Sequence, residues 1–359
     1  MARLDRKNSP RRIAVVAFAQ LPNVRRDTEH EETELVLPVV NAALEAARLT
    51  RADIGFTCSG SSDFLLGRPF SFVSALDALA PWPPASESHV EMDGAWALYE
   101  AWVRLQCGDV DTALVYAYGK SSLGDLRDVL AQQLDPYYLA PLVPDSISLA
   151  ALQARALLDA GGCSERELAE IASRSRRAAL DNPYAQVRKQ SDVEELLAQP
   201  YLVAPLRKHD CPPISDGACA VVLAAEPAAH RCSERPAFIT GMDHRIEAHS
   251  LGARDLTRSS STRTAAEHAG ATGRFDLAEL HAPFTHQEII LRRALGLAPD
   301  VEINPSGGAL AANPMMVAGL ARIGEAAMRL SRGAGRRGIA HATSGPCLQQ
   351  NLVCVLETD

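Results

Sequence analysis

The chain has 359 residues, of which 47% are apolar and 22% charged; this excludes a disordered, collagen-like or fibrous protein and leaves enough chain for a large core. Its net charge of −8 disfavours a phosphate backbone as a general partner, and aromatics, at 5%, are too few for base-stacking platforms. Nucleic acid is therefore not an expected ligand.

Residues 13–19 (IAVVAFA) read as a buried first strand. Apolar residues then recur at helical spacing over 33–49. IGFTCSG (54–60) is a second strand ending in Gly and Ser, and 73–82 is a short helical stretch stopped by Trp82, Pro83 and Pro84. The spacing predicts an apolar helix over 94–107, closed by Gly108, and a buried strand over 112–119. This alternation is the pattern of an α/β fold with a mostly interior sheet. Residues 120–205 break the rhythm with two helical stretches, 147–160 and 164–180, among polar and Pro-rich loops. They read as a helical insertion, the place for substrate-contacting loops. Residues 214–226 (ISDGACAVVLAAE) feed a strand that closes the first half.

The second half opens near Pro236 with the strand-like AFITGMDHRI. Residues 254–268 read as a surface loop, 288–295 as a helix, and 301–316 as a loop rich in Gly, Pro and Asn. An amphipathic helix over 317–331 and a closing strand pair, GIAHATSG and LVCVLE, complete the chain. The expected division is 1–119 with 206–232, an insertion over 120–205, and a second half over 233–359. No window approaches the ~18 apolar residues of a membrane span, and the N-terminal run lacks the apolar length of a signal peptide. The expected location is the cytoplasm. The eight cysteines form no CxxC pair, so a metal site is not expected and small buried thiols are.

Five blocks, in order, carry a family resemblance. They are GAWALYEAWVRLQCGDVDTALVYAYG (94–119), DNPYAQVRK (181–189), DCPPISDGACAVVLAAE (210–226), LHAPFTHQE (280–288) and NPSGGALAANPMM (304–316). Together they resemble the thiolase superfamily, and in particular its sterol-carrier-protein thiolase-like branch. The resemblance implies two similar α/β halves in a five-layer α-β-α-β-α sandwich with a helical loop insertion. It also implies an acyl-CoA thioester as substrate with no further cofactor, a homodimer, and a possible partner of the DUF35 OB-fold type.

The catalytic blocks depart from the family pattern. The family's nucleophilic Cys lies three residues before the helix-starting Gly; here that register gives Glu91, in HVEMDGAW. Its "GHP" His is replaced by Asn313, in ANP. Its C-terminal "C-x-G" Cys falls on Ser344 or Gly345, or, with a two-residue gap, on Cys347. The first His of the "H-D-C-F" block is matched by His281.

Chemistry at a thioester α-carbon needs hydrogen-bond donors aimed at the oxygen that gains charge, and a proton acceptor. His281 and Asn313 are the candidate donors; Glu91, Asp93 and Cys347 are the candidate acceptors. Gly307 and Gly308 either permit a tight turn or let the backbone approach the ligand. Tyr137 and Tyr138 either line an acyl pocket or cover the core. A site with an oxyanion hole and no nucleophilic thiol suits retro-aldol cleavage of an acyl-CoA, and the family resemblance implies a bulky, steroid-like acyl group. The alternatives are an acyl-CoA acyltransferase that uses Cys347, and a carrier or partner-binding subunit without turnover.

Overall fold

The computed structural model describes residues 10–67 and 69–359. The first half runs β1 (Ile13–Gln20), α1 (Glu32–Ala46), β2 (Phe56–Gly60), α2 (Asp63–Leu66), α3 (Phe72–Leu79), β3 (Ser86–Val90), α4 (Gly94–Cys107) and β4 (Thr112–Lys120). Then come α5 (Leu126–Gln132), α6 (Ser146–Asp159), α7 (Glu165–Ala178), α8 (Val193–Leu197), the short strands β5 (Tyr201–Val203) and β6 (Leu206–Arg207), β7 (Asp216–Ala225) and α9 (Ala228–Cys232). The second half comprises β8 (Ala237–Ile246), α10 (Ser260–His268), β9 (Leu277–Leu280), α11 (Thr285–Ala294), β10 (Glu302–Ile303), α12 (Gly308–Ala311), α13 (Ala318–Ser331), β11 (Arg337–Ser344) and β12 (Gln350–Glu357).

Ten strands form one sheet in the order β10-β9-β11-β12-β8-β1-β7-β4-β2-β3. Its two five-stranded halves meet where β1 pairs antiparallel with β8, through Ala14↔Phe238 and Val15↔Ala237. The β5–β6 hairpin stands apart, so α5 to α8 and this hairpin add no strand to the main sheet.

The layers follow from the faces the strands bury. Val15, Cys58, Val115 and Val221 from one half, and Ala340, Ala342, Leu352 and Cys354 from the other, all pack on α4 and α13. The far side of the first half, through Val16, Tyr116 and Val222, meets Leu35 and Val39 of α1 and Leu79 of α3. The far side of the second half, through Ala278, Ile339 and Val353, meets Ala265 of α10 and Leu291 of α11. Sheets buried on both faces need no polar alternation, which is why these strands read as continuous apolar runs. The result is a five-layer α-β-α-β-α sandwich. Glycines let its middle layer close: a Cβ on Gly94 would stand 2.7 Å from Ala117 Cβ and 2.8 Å from Leu320 Cδ2.

Strand β9 is missing from the sequence reading, and 301–316, expected as loop, holds β10 and α12. Two further elements also depart from it. Residues 254–268 are not a surface loop, since Ser260–His268 forms α10. Its buried face is made of Ser261, Thr262, Ala265 and Ala266, so no large apolar residue marks the helical period. Ser259 caps it by accepting from Thr262 N at 3.3 Å, and Asn351 Nδ2 donates to Ser261 Oγ at 2.7 Å. The strand β3, SESHV, is polar because it is the sheet's edge.

A buried ion pair ties the Asn304–Gly308 turn to the second half. Arg322 Nη1 of α13 donates to Glu279 Oε2 of β9 at 2.8 Å. Ser306 supplies its N–H at 2.9 Å and its Oγ at 2.7 Å to the same carboxylate. Glu279 is fully buried and Arg322 nearly so. Replacing Arg322 by Met leaves the buried carboxylate with only the longer Arg329 contact, 3.7 Å from Oε1, as its cation. Urea unfolding is expected to show a loss of about 3–5 kcal/mol, and a smaller loss for Glu279→Leu combined with Arg322→Met.

Candidate active site

The loop that follows β9 carries His281. Leu280 N donates to Asn304 Oδ1 at 2.6 Å, and His281 N donates to His341 O at 3.1 Å, so the backbone is fixed on both sides of the ring. Thr343 N donates to His281 Nδ1 at 3.3 Å. That nitrogen is therefore an acceptor without a proton, and the proton lies on Nε2. Nε2 in turn stands 3.0 Å from Asn313 Oδ1, to which it donates. Burial pushes the imidazole down to about 4, against the Asn313 hydrogen bond, so His281 is neutral at physiological pH.

Both ring nitrogens are thus occupied within the protein. His281 orients Asn313, and the donor left over is the Asn313 amide. Asn313 is half-buried, its N–H donates to Ser215 Oγ at 3.0 Å, and its Nδ2 has no acceptor among the described residues. The Asn313 loop also lies against the start of α4, because Gly94 N donates to Met316 O at 2.8 Å.

Asp93 closes the same corner from the other side. Its Oδ1 accepts from Ala95 N at 2.9 Å and Leu320 N at 3.0 Å, and its Oδ2 from Gly319 N at 2.9 Å. One carboxylate therefore caps both α4 and α13. Burial raises the Asp93 carboxyl above its ordinary range, while these three N–H groups and Arg322 pull the other way. Its oxygens are spent on the helices.

Glu91 turns towards α2: Oε1 accepts from Asp63 N at 2.6 Å, and Oε2 lies 3.5 Å from His89 Nε2. Its side chain is 44% exposed, which makes it the one candidate acceptor open to solvent. Cys347 is buried among Leu134 and Leu149, and its Sγ donates to Leu149 O at 3.4 Å. Burial pushes this thiol up to about 11. Ser344 ends β11 opposite Gln350, and Gly345 turns the chain at φ 72°, where a Cβ would meet Gln349 Oε1 at 2.6 Å.

Gly307 and Gly308 have φ 95° and 62°, and their missing Cβ atoms leave room for Ala179, Ala311 and the Asn304 side chain. Their close approach is to the protein itself. Tyr137 and Tyr138 are 82% and 78% exposed and cover no core.

The structure thus joins His281, Asn313 and Thr343 directly, with Asp93 and Glu91 on the adjoining turn and Cys347 in a separate packed cluster. Thr343 acts through a backbone N–H, so no residue type announced it. Gln153 of α6 was also silent in the sequence. Its Nε2 donates to Leu256 O at 3.3 Å and Cys347 O at 3.4 Å, and its Oε1 accepts from His286 Nε2 at 3.2 Å and Gln287 Nε2 at 3.1 Å. It pins the insertion to the loops around the site. Among the described residues, one trio has metal-ligand spacing: Glu226, His230 and Asp359 at the surface. Arg12 already bridges two of them, at 2.7 Å to Glu226 and 2.6 Å to Asp359.

No protein-family model matches the chain. It is 28% identical over 334 residues, 84% of this chain and 87% of the relative, to an acetyl-CoA acetyltransferase of Methanothermobacter thermautotrophicus. It is 24% identical over 299 residues to sterol carrier protein 2 of Bos taurus, covering 72% of this chain and 54% of that protein, so it spans about half the length of this relative. Among solved structures, an Ltp2-ChsH2(DUF35) aldolase superposes with a TM-score of 0.81 at 18% identity over 98% of both chains. Human mitochondrial 3-ketoacyl-CoA thiolase superposes with a TM-score of 0.75 at 17% identity, over 97% of this chain and 99% of that one. The fold is the thiolase fold. In sequence the chain is similar to thiolases and to the thiolase-like sterol carrier protein 2, at 24–28% identity, and it shares the fold of the two solved structures. No helix among the described residues is long and apolar enough to cross a membrane.

Two measurements check this geometry. The His281 imidazole resonances are expected to keep their neutral-form shifts from pH 8 down to about 5, since its pKa is about 4 against an ordinary 6.5. Burial likewise lowers His286 and His341 to about 3. The unfolded chain takes up protons at these positions that the folded chain refuses, so their contribution to stability is complete above pH 6.5 and is lost as pH falls towards the folded values. In native alkylation followed by mass spectrometry, exposed Cys107 is expected to react first and Cys347 only on unfolding. Fast labelling of Cys347 in the folded protein contradicts its placement.

Proposed function

We propose that this chain is a non-thiolytic acyl-CoA enzyme that breaks a carbon–carbon bond by a retro-aldol route. The observation that carries the reading is the Asn313 amide, fixed by neutral His281 and left with a free donor. It stands beside a helix start where the register of the nucleophile gives Glu91 and the helix end is filled by Asp93. Such a site suits stabilisation of a thioester oxyanion without covalent acyl transfer. The buried, hydrogen-bonded Cys347 weighs against an acyltransferase built on that thiol.

The substrate in this reading is a β-hydroxyacyl-CoA with a bulky, steroid-like acyl group. Glu91 takes the proton of the β-hydroxyl, and its oxygen becomes a ketone or aldehyde carbonyl as the Cα–Cβ bond breaks. The electron pair passes to the thioester, whose enolate oxygen accepts from Asn313 Nδ2. A proton then returns to Cα, leaving a shortened acyl-CoA. CoA enters as part of the substrate, and no other cofactor is needed for this balance. A homodimer and a DUF35-type OB-fold partner belong to the same reading. The unpaired outer edge of β3 supports the first, and the likeness to the Ltp2-ChsH2(DUF35) aldolase supports the second.

The test is to incubate the protein, with and without an OB-fold partner, with β-hydroxyacyl-CoA thioesters and to measure carbonyl product. Asn313→Ala is expected to lower kcat about 10²–10³-fold, the usual cost of one oxyanion donor. Glu91→Gln is expected to lose turnover and keep thioester binding. If no substrate yields a carbonyl product in either arrangement, the reading fails. A trapped acyl-cysteine would replace it with the acyltransferase.

A further inference from the structure

Helices α7 and α11 enclose an open groove of about 820 Å³. That volume lies in the range of small-molecule sites. The groove shares no residue with the His281–Asn313 constellation. Ile171, Ile289 and Leu297 give it an apolar floor. Arg174 and Arg177 rise from one wall and Arg292 from the other. Residues 171, 174 and 177 recur at helical spacing, as do 289 and 292, so each helix presents one apolar position and its arginines to the same trough.

The guanidinium groups are unequally committed. Arg174 Nη2 donates to buried Glu288, which fixes that side chain, while Arg174 Nε is buried with no acceptor. The nearest acid to Arg292 is Glu288 Oε1, 3.9 Å away. Arg177 is exposed and has no hydrogen bond or ion pair among the described residues. At the other end Glu167 is spent on the Ser164 cap, so Glu170, with buried Glu288 behind Arg174 and Arg292, opposes the arginines. In a chain of net charge −8, this is a local basic rim around an apolar trough.

We propose that this groove binds a small amphiphile: an anionic phosphate or carboxylate head held by Arg177 and Arg292, and an apolar body laid on Ile171, Ile289 and Leu297. Guanidinium forks bind such heads in two-pronged fashion, and here unpaired Arg177, and Arg292 held only by a long 3.9 Å ion pair to Glu288, are set on two facing helices. Both elements of the ligand are required. The head alone lacks the burial of apolar area, and the body alone leaves the arginines unmatched.

Isothermal titration with dodecyl phosphate below its micelle concentration tests the site, with inorganic phosphate as the head alone. Dodecyl phosphate is expected to bind at least about tenfold more tightly than phosphate, from burial of several methylene groups. The doubly substituted Arg177→Glu, Arg292→Glu protein is expected to lose at least about tenfold in affinity, and Leu297→Asp a similar factor. Saturating free CoA is expected to leave the titration unchanged, which separates this groove from the thioester site. Arg177 is exposed and, among the described residues, unpaired, so thermal unfolding of Arg177→Glu alone should match the parent and its affinity loss reads the groove directly; Arg292, half-buried and 3.9 Å from buried Glu288, adds a stability cost to the double variant. The proposal is overturned by any of four results: no binding, equal affinity for phosphate, unaltered binding by the double variant, or displacement by CoA.

Discussion

A single carboxylate governs the middle of this protein. The helices α4 and α13 form the layer on which both halves of the sheet pack, and each begins with backbone N–H groups that have no partner of their own. Two such ends brought together carry like partial charges and repel. Asp93 sits between them and takes one N–H from the start of α4 and two from the start of α13. Gly319 is needed for this, since its Cβ would stand 2.5 Å from Asp93 Oδ1. The same spot, the positive end of a helix, is where a thiolate would gain most. Here the chain fills it with its own anion, and chemistry has to be found elsewhere on the rim.

In the proposed reading Asn313 is that place, and His281 fixes how its amide is turned. An amide side chain is a mixed group, donor on one side and acceptor on the other, so its worth depends on which way it is turned. The turn is decided two links away. Thr343 offers an N–H to His281 Nδ1, the proton is left on Nε2, and Nε2–H claims the amide oxygen. Every link is neutral, and Thr343 and His281 are buried, which suits a rigid donor better than a titrating one. The insertion contributes through Gln153, which spends both faces of its own amide on the loops around this array.

Much of this could be read in the chain itself. Long apolar runs such as 112–119 and 214–226 become two-sided buried strands because hydrophobicity alone specifies them. The helix over 94–107 appears with the same bounds, marked by an acid before it and Gly108 after it. The failures have a common cause. Ser260–His268 buries serine, threonine and alanine, and β3 is a polar edge strand, so neither shows an apolar period.

The sequence by itself determined the long apolar strands and helices, the two-halved α/β class, and that no cysteine lies within 90–95, because these depend on local pattern and residue type. Only the tertiary structure decided what each polar group does. Asp93 belongs to two helices far apart in the chain, as its bonds to Ala95 and Leu320 show. His281 owes its tautomer to a backbone N–H from another strand, and Cys347 is withdrawn into a cluster with the insertion. Hydrogen bonds and burial between distant segments set these roles, and such partners leave no periodic trace along a chain.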